Sequence, residues 1–197
     1  KVLMRCSNGN VARYTPIAYQ FPAPGKEVLA QRPIIIGMGP AGLFCGYMLA
    51  RHGYRPILLE RGADVETRTK DVEAYWNGGI LKPESNVQFG EGGAGTFSDG
   101  KLNTLVKDKS GRNAEVLRIF VEFGAPEHIL YESRPHIGTD ILKKVVANMR
   151  NDMIRNGGDV RFGAKVTGLG IADGALCSVM INDSEVLPTT QAVLAIG

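Results

Sequence analysis

The feature that most constrains this chain of 197 residues is a run of glycines between a β-branched segment and an apolar helical pattern. The run is Gly37-Met38-Gly39-Pro40-Ala41-Gly42. Residues 32–37 predict a short buried strand, and residues 40–52 carry apolar side chains at helical spacing before Gly53 ends the helix. Residues 56–60 are a second apolar run, which ends in Glu60. The order strand, glycine turn, helix and strand predicts a βαβ unit.

Each glycine in this run has a mechanical reason in a unit that binds a dinucleotide. Gly37 permits the tight turn, Gly39 lets a pyrophosphate approach the backbone, and Gly42 lets the helix pack close to the sheet. Pro40 suits the first helical turn, where its missing N–H has no partner, and the helix dipole attracts the pyrophosphate. Glu60 can accept hydrogen bonds from a ribose 2′-hydroxyl, and its charge repels the 2′-phosphate of NADP. The alternative is a glycine turn without a ligand.

Composition favours one globular domain and excludes several other classes. The chain is 44% hydrophobic and 22% charged, and no apolar run approaches the roughly 20 residues that span a bilayer. It has 23 basic and 20 acidic residues and no basic run, which disfavours nucleic acid as the main ligand. Cys6, Cys45 and Cys177 form no CxxC pair, which favours a reducing, cytoplasmic setting. We therefore expect no membrane partner.

The rest of the chain predicts further helices and strands. Residues 1–31 predict a lead-in strand and linker, ahead of a domain that spans 32–197. Three segments predict helices: 64–76, 114–123 and 139–156. Four short runs predict an antiparallel meander: 159–163, 164–172, 175–182 and 185–190. In the helix over 139–156 we expect Thr139 at the N-cap and Ile141 and Ile154 among the inward residues.

Both ends of the sequence indicate a piece of a longer protein. The chain opens on Lys1 and closes on an apolar run, 192–197, which is typical of a central parallel strand. We expect N-terminal and C-terminal parts of the same chain to complete the domain. The alternative is a native C-terminal strand.

The order of elements after Glu60 differs from that of a nicotinamide-binding domain, where a helix and a third parallel strand follow soon. A long glycine-rich stretch without periodicity follows instead, over 80–111, and such a stretch is usually functional. Its sequence at 86–102, NVQFGEGGAGTFSDGKL, resembles the signature of bacterial uncharacterised FAD-dependent dehydrogenases, also called NAD(FAD)-utilising dehydrogenases. Gly37–Gly42 together with Glu60-Arg61-Gly62 resembles the FAD fingerprint of glutathione-reductase-like domains. Pro135–Asp140 and Val160-Arg161-Phe162 extend the family resemblance over nearly all of 32–197.

This resemblance implies a Rossmann-like FAD-binding domain of the α/β class, with a parallel sheet, inserted helices and an antiparallel β-meander. It implies that Gly92–Gly95 lies against FAD with Thr96 and Ser98 as hydroxyl donors; the alternative is a flexible surface turn. It also implies backbone contacts from Val166 to the adenine and from Gly197 near the ribose and pyrophosphate. The cofactor-binding residues we predict are Gly37, Gly39, Pro40, Ala41, Gly42, Glu60, Arg61, Gly92, Gly93, Ala94, Gly95, Thr96, Val166 and Gly197.

No pair of acid and base residues fixes a reaction. His136 is the catalytic candidate, because the resemblance places its segment toward the substrate, where an imidazole could move a proton. The alternative is a hydrogen-bonded structural histidine. Asp99 and Lys101 either orient the loop, meet a substrate or form a solvated ion pair, and Arg134 either binds an acidic substrate or forms a surface pair. We expect no metal site.

The function that follows is an FAD-dependent oxidoreductase or dehydrogenase of unknown substrate. Hydride or electron transfer would pass through the flavin, with NAD(P)H as a candidate electron donor. The alternatives are an FAD-dependent RNA-modifying protein and a non-catalytic nucleotide-binding module. We expect these 197 residues alone to hold FAD poorly, with ADP competing nearly as well.

Overall fold

The computed structural model describes residue 15 and residues 17–102, 104 and 106–197. In chain order its strands and helices are β1 (Ile34–Ile36), α1 (Pro40–Arg51), β2 (Ile57–Leu59), α2 (Val65–Trp76), α3 (Arg112–Glu122), α4 (Thr139–Arg155), β3 (Asp159–Arg161), β4 (Val166–Ala172), β5 (Ala175–Ile181), β6 (Glu185–Pro188) and β7 (Ala192–Leu194). Single 3₁₀ turns lie at Ala94–Phe97 and Glu127–Leu130.

The strands form two sheets. A four-stranded sheet has the order β3-β2-β1-β7, and every pair of neighbours in it is parallel. A three-stranded antiparallel sheet has the order β4-β5-β6. The predicted α/β class, with a parallel sheet, inserted helices and an antiparallel meander, is confirmed.

The parallel sheet lies between the helices and the meander. Alternation along β1 and β2 divides their buried side chains between two faces. Ile35 and Leu58 belong to the core that α1, α3 and α4 cover. Ile34, Ile36 and Leu59 belong to a second core, which also contains Val179 and Ile181 of the meander. Because both faces are covered, β1 and β2 contain only apolar residues, as buried parallel strands do.

Helix α1 lies close against the sheet because two of its residues have no side chain. The Cβ atom of a residue larger than glycine at Gly42 would overlap the Gly37 carbonyl oxygen. At Gly46 it would lie 2.7 Å from Leu58 Cδ2. The helix ends at Arg51 with His52 as its C-cap, and Gly53 follows with a φ of +80°, the left-handed conformation expected of a glycine that terminates a helix.

Two details of the sequence-based assignment are wrong. The strand near 159–163 does not join the meander, because β3 pairs in parallel with β2, Leu58 opposite Val160. A short strand carries no signal for its partner, and here the crossover through α4 returns the chain to the parallel sheet. In α4 the N-cap is Gly138 rather than Thr139.

The inward face of α4 is also narrower than predicted. Ile141 and Ile154 are 36% and 48% exposed, whereas the other predicted inward residues are buried: Leu142, Val145, Val146, Met149 and Met153. The two isoleucines therefore lie at the edges of the apolar face.

The described part of the predicted lead-in strand, residues 17–31, is irregular. Cys6 lies outside the described residues. Within the described ranges, no helix is long and apolar enough to cross a membrane.

Candidate functional site

A cavity of about 470 Å³ lies at the carboxyl ends of β1, β2 and β7. One wall is the turn from β1 into α1, and the facing wall is the glycine-rich loop, defined here as residues 86–97. Of the predicted cofactor-binding residues, those that line the cavity are Gly37, Gly39, Pro40, Ala41, Glu60, Arg61, Gly93, Ala94, Val166 and Gly197. Gly42, Gly92, Gly95 and Thr96 do not line it.

The three glycines of the first turn have different structural roles. Gly37 has a φ of +96°, and a Cβ atom there would lie 2.5 Å from the Ala195 carbonyl oxygen. Gly42 permits the close packing described above. At Gly39, by contrast, the nearest atom to an added Cβ is Gly93 Cα at 4.0 Å. A methyl group at Gly39 would therefore overlap no other atom, and Gly39 lines the cavity.

Glu60 connects β2 to this glycine turn. Its side chain is 4% exposed, Oε2 accepts a hydrogen bond from Met38 N at 2.7 Å, and Oε1 accepts one from Gly62 N at 2.8 Å. A carboxylate has about four lone-pair sites, so each oxygen retains capacity for a ligand hydroxyl. The predicted contact with a ribose stays a prediction.

A charged cluster forms the rim of the cavity next to Glu60. The Arg61 guanidinium lies 4.1 Å from the centre of the Phe89 ring and pairs with the Glu84 carboxylate. Lys165 Nζ donates to Glu84 Oε1 at 3.0 Å, and this hydrogen bond is the main cause that lowers the pKa of Glu84. Glu84 therefore connects the segment before the glycine-rich loop to the residue that precedes β4.

Arg68 of α2 organises the glycine-rich loop from the side away from the cavity. It is fully buried. Its guanidinium donates to four backbone carbonyl oxygens: Asn86 at 2.8 Å, Val87 at 3.1 Å, Glu91 at 2.7 Å and Gly93 at 2.8 Å. Desolvation by burial lowers the pKa of Arg68 to about 10. Sequence analysis missed this residue, since an arginine in a charged amphipathic helix gives no sign of burial.

Glu91 anchors the middle of the loop. Its side chain is fully buried, and Oε2 accepts hydrogen bonds from Val65 N at 2.7 Å and Arg150 Nη1 at 2.6 Å. Oε1 has no partner among the described residues. Desolvation by burial raises the pKa of Glu91 to about 7, against the opposing effects of the Val65 N–H and the Arg150 charge. Burial of Glu91 therefore favours the protonated carboxyl relative to an exposed glutamate.

Two predicted hydroxyl donors are engaged or buried within the loop. Thr96 is 1% exposed, and its Oγ1 has no partner within the described part of the chain. A Cβ atom on Gly92 would overlap that hydroxyl, so glycine is required there by packing. Ser98 Oγ donates to the Gly95 carbonyl oxygen at 2.8 Å.

His136 lies on a short antiparallel bridge opposite Lys101. Its Nε2 donates to the Asp99 carbonyl oxygen at 2.7 Å, and the Asp99 carboxylate pairs with Lys101 Nζ at 2.8 Å. A carbonyl oxygen can only accept, so this bond selects the tautomer with a proton on Nε2 and leaves Nδ1 as an acceptor. The contact is that of a hydrogen-bonded structural histidine, and a catalytic role stays a prediction.

The predicted residue Arg134 and the cysteine Cys45 lie away from the cavity. Arg134 lines a separate groove next to α3, together with Phe120 and Pro135. Cys45 is half-buried in α1, and burial raises the pKa of its thiol, which disfavours the reactive thiolate. Within the described residues, no group of three or more histidine, cysteine or acidic side chains could hold a metal ion.

No protein-family model matches the chain. An uncharacterised protein of Clostridium beijerinckii is 51% identical to it over 174 residues, which is 88% of this chain and 32% of that protein. The chain thus spans about a third of the length of this curated relative.

Several solved structures share the fold at low sequence identity. Glycine oxidase from Bacillus cereus matches with a TM-score of 0.52 and 13% identity, over 84% of this chain and 55% of that one. L-amino acid deaminase from Proteus vulgaris matches with a TM-score of 0.51 and 11% identity, over 91% of this chain and 56% of that one. OTEMO, whose structure is a complex with FAD and NADP, matches with a TM-score of 0.50 and 15% identity, over 87% and 26%. These matches support the Rossmann-like α/β fold.

Proposed function

We propose that this chain is the FAD-binding part of a flavin-dependent oxidoreductase. The observation that carries the proposal is the cavity at the carboxyl ends of β1, β2 and β7, whose lining includes Gly39 and Gly93 in close contact with each other. A Cβ atom at Gly93 would lie 3.0 Å from Gly39 Cα and 3.1 Å from Pro40 Cδ. The OTEMO structure, with FAD and NADP bound, supports the assignment at the level of the fold.

The residues present fit the adenosine and pyrophosphate parts of FAD. The first turn of α1 offers N–H groups without intrahelical acceptors and the positive end of the helix dipole to the pyrophosphate. Glu60 accepts from the ribose hydroxyls. The aromatic ring of Phe89 and the backbone at Val166 form the rim where the adenine lies.

Glu60 also sets nucleotide selectivity. Its carboxylate is buried at the end of β2, where it would face a phosphate on the ribose 2′ position. Repulsion between two negative charges in a partly buried site disfavours a 2′-phosphate relative to a 2′-hydroxyl. NADP is therefore excluded from this cavity, and a reduced nicotinamide that serves as electron donor would act from elsewhere.

FAD, when bound, supplies hydride or electron transfer, while the protein binds it and limits access of water. The substrate that we propose is a small molecule. His136 is the candidate proton acceptor, through Nδ1. The cytoplasmic setting that cysteine usage predicts also stays a proposal.

Calorimetric titration of the 197-residue chain with ADP and FAD tests the binding site. ADP is the primary ligand, because the contacts above are made to the adenosine diphosphate half of FAD. We expect one-to-one binding of ADP, and loss of binding in Gly39→Val with an unchanged melting temperature. Absence of ADP and FAD binding to the folded wild type would contradict the proposal.

The full-length Clostridium beijerinckii relative tests the redox role. We expect it to purify with the absorbance spectrum of a bound flavin that NADH or NADPH bleaches under anaerobic conditions. A colourless relative that binds only NAD would favour the non-catalytic nucleotide-binding module instead.

A further inference from the structure

Arg68 is a buried cation whose guanidinium is hydrogen-bonded only to neutral groups. Its short hydrogen bonds go to four carbonyl oxygens of the glycine-rich loop, with Gly90 O as a longer fifth contact at 3.4 Å. Among the described residues no carboxylate lies within ion-pair distance of it. Burial of such a charge is unfavourable unless other groups compensate it.

The two carboxylates whose charges act on Arg68, Glu60 and Glu91, already accept hydrogen bonds from other groups. Glu60 accepts from Met38 N and Gly62 N, and Glu91 accepts from Val65 N and Arg150. Both act on Arg68 through space rather than by contact. The guanidinium therefore retains a positive potential on the loop side of the cavity.

The glycine-rich loop separates Arg68 from the cavity. Residues that face the cavity are Gln88, Phe89, Gly90, Gly93 and Ala94. The carbonyl groups that Arg68 binds belong to the same stretch, at Asn86, Val87, Glu91 and Gly93. Their negative ends thus point at the guanidinium rather than into the cavity, which removes a source of repulsion for a bound anion.

We propose that Arg68 is the positioning residue for a diphosphate in this cavity, through its charge and its hold on the loop carbonyls. The inference rests on the proposed nucleotide site. It assigns to Arg68 the preference of that site for a ligand with a diphosphate. In a low-dielectric interior, a charge close to a ligand stabilises it without contact.

The test compares ADP with adenosine, which lacks the diphosphate, on wild type, Arg68→Met and Arg68→Lys. Arg155→Met is the matched control, since Arg155 is exposed and pairs with Asp152 on its own helix. Dissociation constants come from calorimetry for ADP and ligand-observed NMR for adenosine. Circular dichroism and thermal melts report the folded fraction.

We expect Arg68→Met to weaken the binding of ADP by at least about tenfold, while the affinity for adenosine changes by less than about twofold. Arg68→Lys keeps the positive charge but has fewer hydrogen-bond donors. We therefore expect it to lose less ADP affinity than Arg68→Met. Arg155→Met leaves both ligands unchanged.

Equal losses for ADP and adenosine in Arg68→Met would overturn the inference, because they would indicate general support of the loop. Unchanged ADP affinity would overturn it as well. If Arg68→Met does not fold, the neutral variant Arg68→Gln takes its place, because its amide can still donate to a loop carbonyl, and an unchanged ratio of ADP to adenosine affinity in it rejects the role. Failure of the wild type to bind ADP would instead reject the proposed nucleotide site.

Discussion

The two walls of the cavity are both rich in glycine, but different forces hold them in place. The turn at residues 37–42 is fixed by backbone geometry: Gly37 N donates to the Leu59 carbonyl oxygen at 2.8 Å, and Ala195 N donates to the Ile36 carbonyl oxygen at 2.8 Å. The glycine-rich loop at 86–97 is fixed by the buried side chains of Arg68 and Glu91. The first wall is therefore held mainly by the backbone of the sheet and helix, with Glu60 accepting from Met38 N, whereas the second wall is held mainly by buried charged side chains.

This difference separates two kinds of glycine. In the first wall, Gly42 serves packing and Gly39 serves the cavity. In the second wall, Gly92 makes room for Thr96 within the loop, whereas Gly93 faces the cavity. Substitutions at these positions should therefore separate loss of folding from loss of binding.

The largest expected effect is that of Gly42→Ala. The added methyl group would overlap the Gly37 carbonyl oxygen, which is backbone and cannot move without displacing β1. We expect a loss of about 3 kcal/mol in the free energy of unfolding, at the upper end for overpacking. Urea denaturation compares the free energy of unfolding of Gly42→Ala with that of Gly39→Ala. Equal stability of the two variants would contradict the packing role of Gly42.

The second prediction concerns Glu91, the buried carboxyl that anchors the glycine-rich loop. Because the folded-state pKa of Glu91 is raised to about 7, the folded protein binds more protons than the unfolded chain between about pH 4.5 and pH 7. The contribution of Glu91 to stability is thus fully present below pH 4.5 and is lost as the pH rises through 7. The loss amounts to about 3 kcal/mol.

Glu91→Gln removes this titration and keeps the shape of the side chain. We expect the difference in unfolding free energy between wild type and Glu91→Gln to change across this pH range, in favour of the variant at high pH. Glu66→Gln is the control, because Glu66 also contacts Arg150 but is more than half exposed. A difference that stays constant with pH would contradict the raised pKa.

These two walls also differ in how far the sequence predicts them. The spacing from Gly37 to Glu60 predicts the βαβ unit, because local backbone geometry requires glycine at fixed positions. The parallel pairing of β3 was not predictable, since a three-residue strand does not specify its neighbour. The buried contacts of Arg68 and Glu91 depend on residues about 20 to 60 positions away in sequence, which no local pattern encodes.

A smaller effect is expected at Glu60, where the first wall meets the ligand. Glu60→Ala removes a carboxylate that accepts from Met38 N and Gly62 N. We expect ADP binding to weaken by about 1–3 kcal/mol, which is typical of a lost charge-assisted hydrogen bond. Calorimetry measures the dissociation constant for ADP. Glu84→Ala, at the rim of the cavity, is the control and should change this constant less than Glu60→Ala. An unchanged dissociation constant would argue against the ribose contact.

The smallest expected effect is that of His136→Gln. The imidazole is exposed, and its Nε2 bond to the Asp99 carbonyl oxygen can be replaced by the amide of glutamine. We expect the free energy of unfolding to change by less than about 1 kcal/mol and ADP affinity to stay the same. A large loss of ADP affinity would show that the bridge between 99–102 and 135–137 supports the cavity wall.

We propose above that the part of the cavity next to Gly39 and the first turn of α1 holds the diphosphate of a flavin nucleotide. Titration of wild type and Gly39→Val with ADP, together with their melting temperatures, tests it most directly. We expect that wild type binds ADP, that Gly39→Val does not, and that the two proteins melt at the same temperature. Equal ADP binding by Gly39→Val would contradict it, because the added side chain occupies the space assigned to the diphosphate.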